Sequence, residues 1–375
     1  MSGLAGPTRD NWIGLLDAQG GAELGRVEDK SGGDIVWTAS GISYGAPYHE
    51  YLTTAQGTQV IKRQRYEPSE QRRYALPDGR IAVVGSSTNW GYRVETVDLD
   101  GTFESVESNE TSGAFGQCGS RILAITSTED SKSIGEEAFA TYSTLMGGDG
   151  ERPDALSVVV QLNDHDGDVP TVVAVAPLVE GLGTAPSTFV CEGDVITVPS
   201  KQLDHPEADT SGGSGAQDGT LVIQRWDLST GQRTIIPVHD EAGNAVTLEG
   251  DRSVVGARAV QVGNDYRFIS GTGDAYTVDL VSGQGRLLFS IPSTKTDNEV
   301  LFQVTESGVY ALEDREEDRL VALSYQSWDG GGKRDVFTTG TLEKYLRTNS
   351  GILSAGYRRG FESFALRPGW DGGAQ

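Results

Sequence analysis

Three aspartates stand at alternate positions in the segment LNDHDGDVP. Asp164, Asp166 and Asp168 have the 1, 3, 5 spacing with which calcium-binding loops place their first oxygen ligands. The other ligand positions do not match, because Val175 stands where such a loop has its bidentate acid. The flanking segments VVVQL and TVVAV are typical of strands, so a hairpin turn is favoured and a calcium site is the weaker hypothesis.

A second polar cluster lies in the segment LDHPEAD. His205 stands near Asp204 and Glu207, and these residue types bind metals or transfer protons when a fixed geometry holds them. The surrounding residues 200–219 are rich in Gly, Ser and Asp, a composition typical of loops. We therefore expect the three residues to belong to a partner-binding surface, and we predict no catalytic residue and no cofactor.

The common enzyme motifs are incomplete in this sequence. GGSGA (212–216) lacks the second glycine of a nucleophile elbow, GGGK (330–333) lacks the upstream spacing of a phosphate loop, and GTGDAY (271–276) lacks the third glycine of a dinucleotide turn. Whether the protein is an enzyme stays open at this point, with a non-enzymatic role favoured.

Charge narrows the range of partners. The formal net charge is −24, which repels nucleic acid and anionic membranes, so we expect neither as a partner. There is no apolar run of 18 residues, and the first residues, MSGLAGPTRD, lack the regions of a signal peptide. The protein is then either cytoplasmic, or extracytoplasmic with a signal or anchor segment absent from this sequence. We expect a monomer.

Two strand patterns alternate along the chain. One is a hairpin with a Gly-containing turn, as in YALPDGRIAVVG (74–85) and TFVCEGDVITVP (188–199). The other is a strand that ends in a turn bearing Asp and Gly, as in LVIQRWDLSTGQRTIIPV (221–238). Together they make a unit of four strands, and candidate units cover residues 34–66, 72–107, 113–178, 183–239, 256–292 and 299–340.

The two ends of the chain predict one further unit. Residues 12–27 read as an unpaired hairpin, and residues 344–370 read as an incomplete unit in which FESFAL (361–366) competes with WIGLL for the third strand. We therefore predict a single all-β domain over residues 1–375. It is a β-propeller of about seven four-stranded blades, closed into a ring by the N- and C-terminal strands. A β-sandwich is the alternative, but it fits repeated four-strand units poorly.

The turns WDLSTGQ (226–232) and VDLVSGQ (278–284) carry a family resemblance. They resemble the Asp-x-x-Thr-Gly turns of bacterial propellers of the quinoprotein-like and YVTN-repeat type. The resemblance implies a propeller fold only. The tryptophan that follows this turn in quinone-enzyme blades is missing, so no quinone cofactor is implied.

Two neighbouring units carry long insertions between their second and third strands, residues 127–155 and 200–219. The first contains a predicted helix, for which Ser133 and Glu136 form a capping box. Phe139, Tyr142 and Met146 lie on one stripe of that helix. The stripe either packs on the blades or docks a partner. Adjacent insertions on one face of a propeller favour recognition there.

Cys118 and Cys191 are the two cysteines of the chain, and each stands immediately before the first turn of its unit. Equivalent positions in adjacent blades are spatial neighbours, so this register predicts a disulfide between the blades. Two separate buried thiols are the alternative. A disulfide would indicate an oxidising compartment.

These observations lead to two hypotheses on function. The favoured one is a non-enzymatic, extracytoplasmic binding or assembly propeller that presents its loop-bearing face to a protein or glycan. The other is a hydrolase or lyase that acts on polysaccharide, with carboxylates or arginines at the axial mouth of the propeller.

Overall fold

The structure is a computed structural model. It describes residues 11–27, 34–63, 70–86, 91–98, 101–108, 114–147, 152–164, 169–183, 188–203, 218–248, 258–291, 300–315, 318–346, 361 and 363–370. Described residues outside the strands include two helices, α1 (Gly135–Leu145), which follows a 3-10 turn at Lys132–Ile134, and α2 (Glu343–Leu346).

Strands dominate the chain, and each pairs antiparallel with its neighbours. The chain begins with a two-stranded hairpin, β1 (Asn11–Leu16) and β2 (Ala22–Val27). The first two sheets of four strands follow. They contain β3 (Val36–Trp37), β4 (Ile42–Ala46), β5 (His49–Thr54) and β6 (Gly57–Lys62), and then β7 (Glu70–Ala75), β8 (Ile81–Ser86), β9 (Tyr92–Val97) and β10 (Phe103–Ser108).

The third and fourth sheets carry the long insertions. The third contains β11 (Ala114–Cys118), β12 (Arg121–Ser127), β13 (Leu156–Gln161) and β14 (Thr171–Pro177). In the fourth, two short segments share the innermost position, and a short strand pairs with the third strand. Its members are β15 (Leu182–Gly183), β16 (Val190–Glu192), β17 (Val195–Leu203), β18 (Gly219–Asp227), β19 (Gln232–Pro237) and β20 (Thr247–Leu248).

Two further sheets of four strands complete the series. The fifth contains β21 (Arg258–Val262), β22 (Asp265–Ile269), β23 (Asp274–Asp279) and β24 (Gly285–Ser290), and the sixth contains β25 (Val300–Val304), β26 (Gly308–Arg315), β27 (Leu320–Ser327) and β28 (Arg334–Thr339). Repeated four-stranded sheets in sequence order make this an all-β propeller, as predicted.

Apolar clusters give the order of the sheets around the ring. Ile122 of the third sheet packs with Val84 of the second, and Trp226 of the fourth packs with Leu123 of the third. The same kind of cluster joins the fourth sheet to the fifth and the fifth to the sixth. Each sheet thus buries its faces against the sheets before and after it in the chain.

The place between the sixth and first sheets is filled by the chain ends. Leu16 and Leu24 of the N-terminal hairpin pack with the core of the sixth sheet, and Ile13 packs with the core of the first. The C-terminal segment also bridges the gap. The Ser363 hydroxyl accepts a hydrogen bond from the Ile35 backbone N–H, and the Leu366 N–H donates to Gln303 of β25.

The described residues form six blades, and the prediction of about seven is wrong. The N-terminal hairpin forms a sheet of its own, and FESFAL pairs with no strand over its described residues, 361 and 363–366. The incomplete unit predicted over residues 344–370 begins inside α2 and not with a strand. Leu342 and Leu346 explain this, because both are buried and their spacing suits a helical turn. Residues 347–360 lie outside the described residues.

We expect the hairpin to be essential to the stability of the ring, because an open ring exposes sheet faces and edges. Deletion of residues 1–27 should strongly lower the melting temperature. Leu16→Ala should cost about 1–2 kcal/mol, since Leu16 is half-buried against the sixth sheet. The matched control is Leu15→Ala, whose side chain is exposed and should cost little. Denaturant unfolding measures both, and equal effects of the two substitutions would contradict this role.

Candidate functional site

One face of the propeller carries both the insertions and the starts of the innermost strands. In the third sheet, Ala114 at the start of β11 pairs with Ile125, near the end of β12 from which the insertion leaves. Ser127 at that end pairs with Ser157 at the start of β13. The other sheets repeat this antiparallel order, so the same face receives the connections between sheets. We call it the loop face.

Helix α1 packs against the second and third sheets and does not project into solvent. Ile134 and Ala138 are fully buried between the second and third sheets, and Phe139 and Tyr142 pack half-buried against the same cluster. The Arg152 guanidinium lies 4.0 Å over the centre of the Phe139 ring. Two of the three predicted stripe residues therefore contribute to packing.

The end of α1 is more exposed to solvent than its middle. Leu145 and Met146 are exposed, at 37% and 48%. The Leu145 side chain also reaches the β18–β19 turn, because a Cβ added to Gly231 there would lie 2.9 Å from one of its methyl carbons. The start of α1 also differs from the predicted capping box of Ser133 and Glu136. Its N-cap residue is Ile134, which makes no side-chain cap hydrogen bond.

Only some of the other predicted site residues lie in the described part of the chain. Asp204, His205 and Glu207 lie outside the described residues, as do Asp166 and Asp168. Asp164 is in the left-handed region, with φ 54°, and accepts a hydrogen bond from the Asn163 side chain. Among the described residues, no three potential ligands come together to hold a metal ion.

The predicted disulfide is confirmed. Cys118 at the end of β11 and Cys191 in β16 are bonded, with a Cα–Cα distance of 5.3 Å. Arg121 and Asp194 form an ion pair of 2.6 Å at the same end of these strands. The third and fourth sheets, which carry both long insertions, are thus joined covalently at their innermost strands, at the end away from the loop face.

A further polar cluster lies along the innermost strands, with Asp34 and Arg258 at the end opposite to the disulfide. Asp34 precedes β3, Arg72 and Tyr74 lie on β7, and Arg258 begins β21. A carboxylate oxygen of Asp34 lies 4.0 Å from Arg72, and the other lies 4.0 Å from Arg258. Because the fifth sheet does not neighbour the first or second in the ring, these contacts cross the axis. We call these four residues the axial cluster.

The alternation of β7 explains why two of these residues face the axis. Arg72 and Tyr74 are two positions apart and share one side of the strand, while Arg73 points the other way. Arg73 enters a buried ion network between the first and second sheets, where its guanidinium contacts Glu50 and donates to the Ser43 hydroxyl at 2.6 Å. It also donates to the backbone carbonyl of Asp34 at 3.2 Å, which holds Asp34 beside the axis.

Other charged side chains complete this network. Arg63 donates to Glu50 at 2.8 Å and to Glu95 at 3.1 Å, and all three side chains are at most 5% exposed. Arg93 lies 3.4 Å from the other oxygen of Glu95. The interface between the first and second sheets therefore contains paired charges, whereas the other interfaces described above are apolar.

Burial sets the electrostatics of the axial cluster. It raises the pKa of the Tyr74 hydroxyl well above the ordinary value, an effect that the positive charge of Arg72 opposes. Burial also lowers the pKa of the Arg258 guanidinium, and the neighbouring charge of Arg72 adds to this shift. At neutral pH the Tyr74 side chain is therefore a protonated hydroxyl.

Sequence reasoning missed these residues because they are far apart in the chain. A usable signal exists for two of them, since Asp34 lies just before β3 and Arg258 is the first residue of β21. Arg72 and Tyr74 lie further along β7, and no turn or strand boundary marks them in the sequence.

Comparison with known proteins gives no family. No family model matches the chain, and no curated protein matches it. The resemblance to quinoprotein-like and YVTN-repeat propellers therefore stays a prediction. No helix in the described part of the chain is long and apolar enough to cross a membrane.

Solved structures resemble the chain at low identity. The Neurospora crassa Pan2 WD40 domain is 11% identical with a TM-score of 0.41, over 80% of this chain and 81% of that one. An oligogalacturonate lyase in complex with manganese is 9% identical with a TM-score of 0.42, over 80% and 75% of the two chains. The propeller domain of the Trilobed protease from Pyrococcus furiosus is 12% identical with a TM-score of 0.34, over 80% and 92%. These likenesses include enzymes and non-enzymes and bear on no activity.

Loss of the disulfide should destabilise the protein. A cross-link with a sequence separation of 73 residues stabilises by about 4 kcal/mol in the chain-entropy model. We expect Cys118→Ser with Cys191→Ser, or reduction of the wild type, to lower the free energy of unfolding by that order. Peptide mapping of the non-reduced protein provides the direct check, and two free thiols after alkylation would refute the bond.

Removal of Glu50 should be more costly than removal of a surface acid. Glu50→Ala leaves Arg63 and Arg73 buried without their shared carboxylate, which costs about 3–5 kcal/mol. The matched control is Glu104→Ala in β10, because Glu104 is 66% exposed, lies 3.6 Å from Arg80, and should cost below about 1 kcal/mol. Chemical denaturation of both variants tests this, and similar midpoints would show that the network contributes little.

Proposed function

We propose that the protein is a non-enzymatic binding or assembly propeller that works outside the cytoplasm and presents its loop face to a protein or glycan. The observation that carries this proposal is the covalent bond between the third and fourth sheets. These are the two sheets whose insertions shape the loop face, so the bond limits their relative movement. A surface that is rigid before binding loses less conformational entropy when the partner binds.

The end of α1 supplies a contact surface. Leu145 and Met146 are adjacent, exposed and apolar, while Ile134 and Ala138 fix the start of the segment in the core. Apolar side chains held on a fixed element gain free energy when a partner buries them. We define Leu145 and Met146 as the helix-end patch and propose that it contacts the partner.

The proposed location follows from the disulfide. Structural disulfides persist in oxidising compartments and are rare in the cytosol of most organisms. An extracytoplasmic protein, secreted or anchored, is therefore the proposal, and a cytoplasmic one is the alternative. The proposed state is a monomer, and neither nucleic acid nor a membrane is proposed as a partner because the net charge is −24.

A polysaccharide hydrolase or lyase at the axial mouth is the second candidate. The axial cluster supports it with buried titratable groups, of which Tyr74 and Arg258 have shifted pKa values. Within the cluster Asp34 is the one carboxylate, so the cluster lacks the paired carboxylates that most glycosidases use. Turnover of a polysaccharide that is lost in Asp34→Asn would favour this candidate over the first.

The binding proposal is tested at the second insertion and at the helix-end patch. A glycan array and affinity capture from secreted proteins identify a partner, and calorimetry with the purified partner measures the dissociation constant. Replacing residues 204–217 by a short Gly-Ser linker, or Leu145→Glu with Met146→Glu, should weaken binding about tenfold or more while the melting temperature stays near that of the wild type.

The matched control is Leu287→Glu, because Leu287 is equally apolar, is 52% exposed and lies on the outermost strand of the fifth sheet. Binding should be unaffected by this change. Undiminished binding by both the linker variant and the Leu145/Met146 variant, folded and at normal concentration, would place the site elsewhere.

A further inference from the structure

A cavity of about 270 Å³ lies between the second and third sheets. Its lining comes from β9, β10 and the turn after β13, and it includes Val94, Thr96, Glu104, Val106, Asn163 and Asp164. The Glu104 side chain is 66% exposed, so the cavity opens to solvent beside it. Pockets for drug-sized ligands measure about 300–1,000 Å³, so this cavity suits a smaller molecule.

Thr96 places a polar group in this cavity. It is 6% exposed, and among the described residues its hydroxyl has no hydrogen-bond partner. It pairs with Glu104 across β9 and β10, so both side chains lie on the side of the second sheet that faces the third. Buried polar side chains are nearly always hydrogen-bonded in folded proteins. A buried hydroxyl without a partner, in the wall of a cavity, therefore indicates a ligand that forms hydrogen bonds.

The Asp164 carboxylate is held at the cavity by its neighbour. The Asn163 side chain is fixed by hydrogen bonds to the Ile122 N–H and the Ser120 carbonyl, at 2.7 and 3.0 Å, and it also donates to Oδ2 of Asp164 at 2.9 Å. The other oxygen of Asp164 accepts no hydrogen bond from the described part of the chain. This carboxylate therefore keeps one oxygen for a ligand.

Negative charge is in excess at the opening of the cavity. Arg80 donates to Asp78 at 2.8 Å and lies 3.6 Å from Glu104, which is longer than a charge-assisted hydrogen bond. The hydrogen bond with Asp78 raises the pKa of the Arg80 guanidinium, and the charges of Asp164 and Glu104 add to this rise. Three carboxylates thus share one guanidinium, and Glu104 and Asp164 remain available to a cation.

We propose that this cavity binds a small aliphatic primary amine. Its ammonium group donates hydrogen bonds to the carboxylates of Glu104 and Asp164 and to the hydroxyl of Thr96. Its short apolar chain contacts Val94 and Val106. The three N–H donors of a primary ammonium match these three acceptors. The formal net charge of −24 also attracts cations to the protein.

Other cations suit the cavity less well. A calcium ion takes about 6–8 oxygen ligands, whereas no three potential metal ligands come together among the described residues. A quaternary ammonium ion has no N–H donor for the Thr96 hydroxyl. A free amino acid carries a carboxylate, which Glu104 and Asp164 repel. The cavity therefore favours a primary amine that carries no acid group.

This site goes beyond the binding role proposed above and shares no residue with it. The Ser120 carbonyl that holds Asn163 lies in the turn after Cys118, at the end of the sheets away from the loop face. The substitutions below leave the helix-end patch and residues 204–217 intact. The two proposals can thus fail independently.

The experiment is a saturation-transfer NMR titration of the full, oxidised chain with butylammonium chloride. Butan-1-ol is the neutral control, 4-aminobutyrate is the control with an added carboxylate, calcium chloride is the competing metal ion, and Nα-acetyl-lysinamide represents a lysine side chain of a protein. We expect saturable binding of butylammonium, none of butan-1-ol, about tenfold weaker binding of 4-aminobutyrate, and weaker binding of the capped lysine. The affinity should fall as ionic strength rises.

Substitutions assign the binding to the cavity. Glu104→Gln and Asp164→Asn should each raise the dissociation constant for butylammonium about tenfold, since each removes a charged acceptor. Asn tolerates the left-handed conformation of Asp164, with φ 54°, so this variant should fold. Thr96→Val should raise the constant about threefold and should leave the melting temperature equal or higher, because the hydroxyl has no partner in the described part of the free protein.

The matched control is Glu241→Gln. It removes the same charge from an exposed residue between β19 and β20, outside the cavity lining. This variant should bind butylammonium like the wild type.

Each outcome bears on the proposal. Weaker binding in Glu104→Gln and Asp164→Asn, with unchanged binding in Glu241→Gln, supports it. Absence of saturable binding overturns it, and so does an equal loss in Glu241→Gln, which would show a general effect of charge. Displacement of butylammonium by equimolar calcium, or tighter binding of the capped lysine, overturns the assignment to a small amine.

Discussion

The structure depends on the requirement that every sheet bury both of its faces. A four-stranded sheet with apolar residues on both sides cannot be stable alone, and here each sheet is covered by the sheets before and after it in the chain. Near the chain ends, the first and sixth sheets each have one face that no neighbouring four-stranded sheet covers. The N-terminal hairpin covers both of them, with the C-terminal segment beside it. Closure therefore uses parts of the chain that do not form a complete sheet.

At the interface between the first and second sheets, the buried side chains are charged. Its centre holds Glu50 and Glu95 with Arg63, Arg73 and Arg93 instead of an apolar cluster. Buried pairs of this kind contribute little net stability, but they fix geometry because every member must keep its partner. This network also fixes residues near the axis. Arg73 donates a hydrogen bond to the backbone carbonyl of Asp34 and stands between Arg72 and Tyr74 on β7.

The innermost strands carry different chemistry at their two ends. At the end away from the loop face, the disulfide holds the third and fourth sheets together. Toward the loop-face end, the axial cluster draws residues from the first, second and fifth sheets. The covalent bond restrains the sheets that carry the insertions, and the opposite end remains polar. A propeller with a rigid ring suits recognition of a partner, which is the role proposed above.

The amino-acid sequence by itself determined the repeated unit, because turn residues and strand periodicity are local. The hairpins, the turns at WDLSTGQ and VDLVSGQ, the helix in the first insertion and the disulfide register of Cys118 and Cys191 could all be predicted from it. Only the tertiary structure decided the six blades, the charged interface and the axial cluster. Periodicity shows that a face is buried but not what covers it. Asp34, Arg72 and Arg258 meet because the ring brings distant innermost strands to one axis, and no local pattern records that closure.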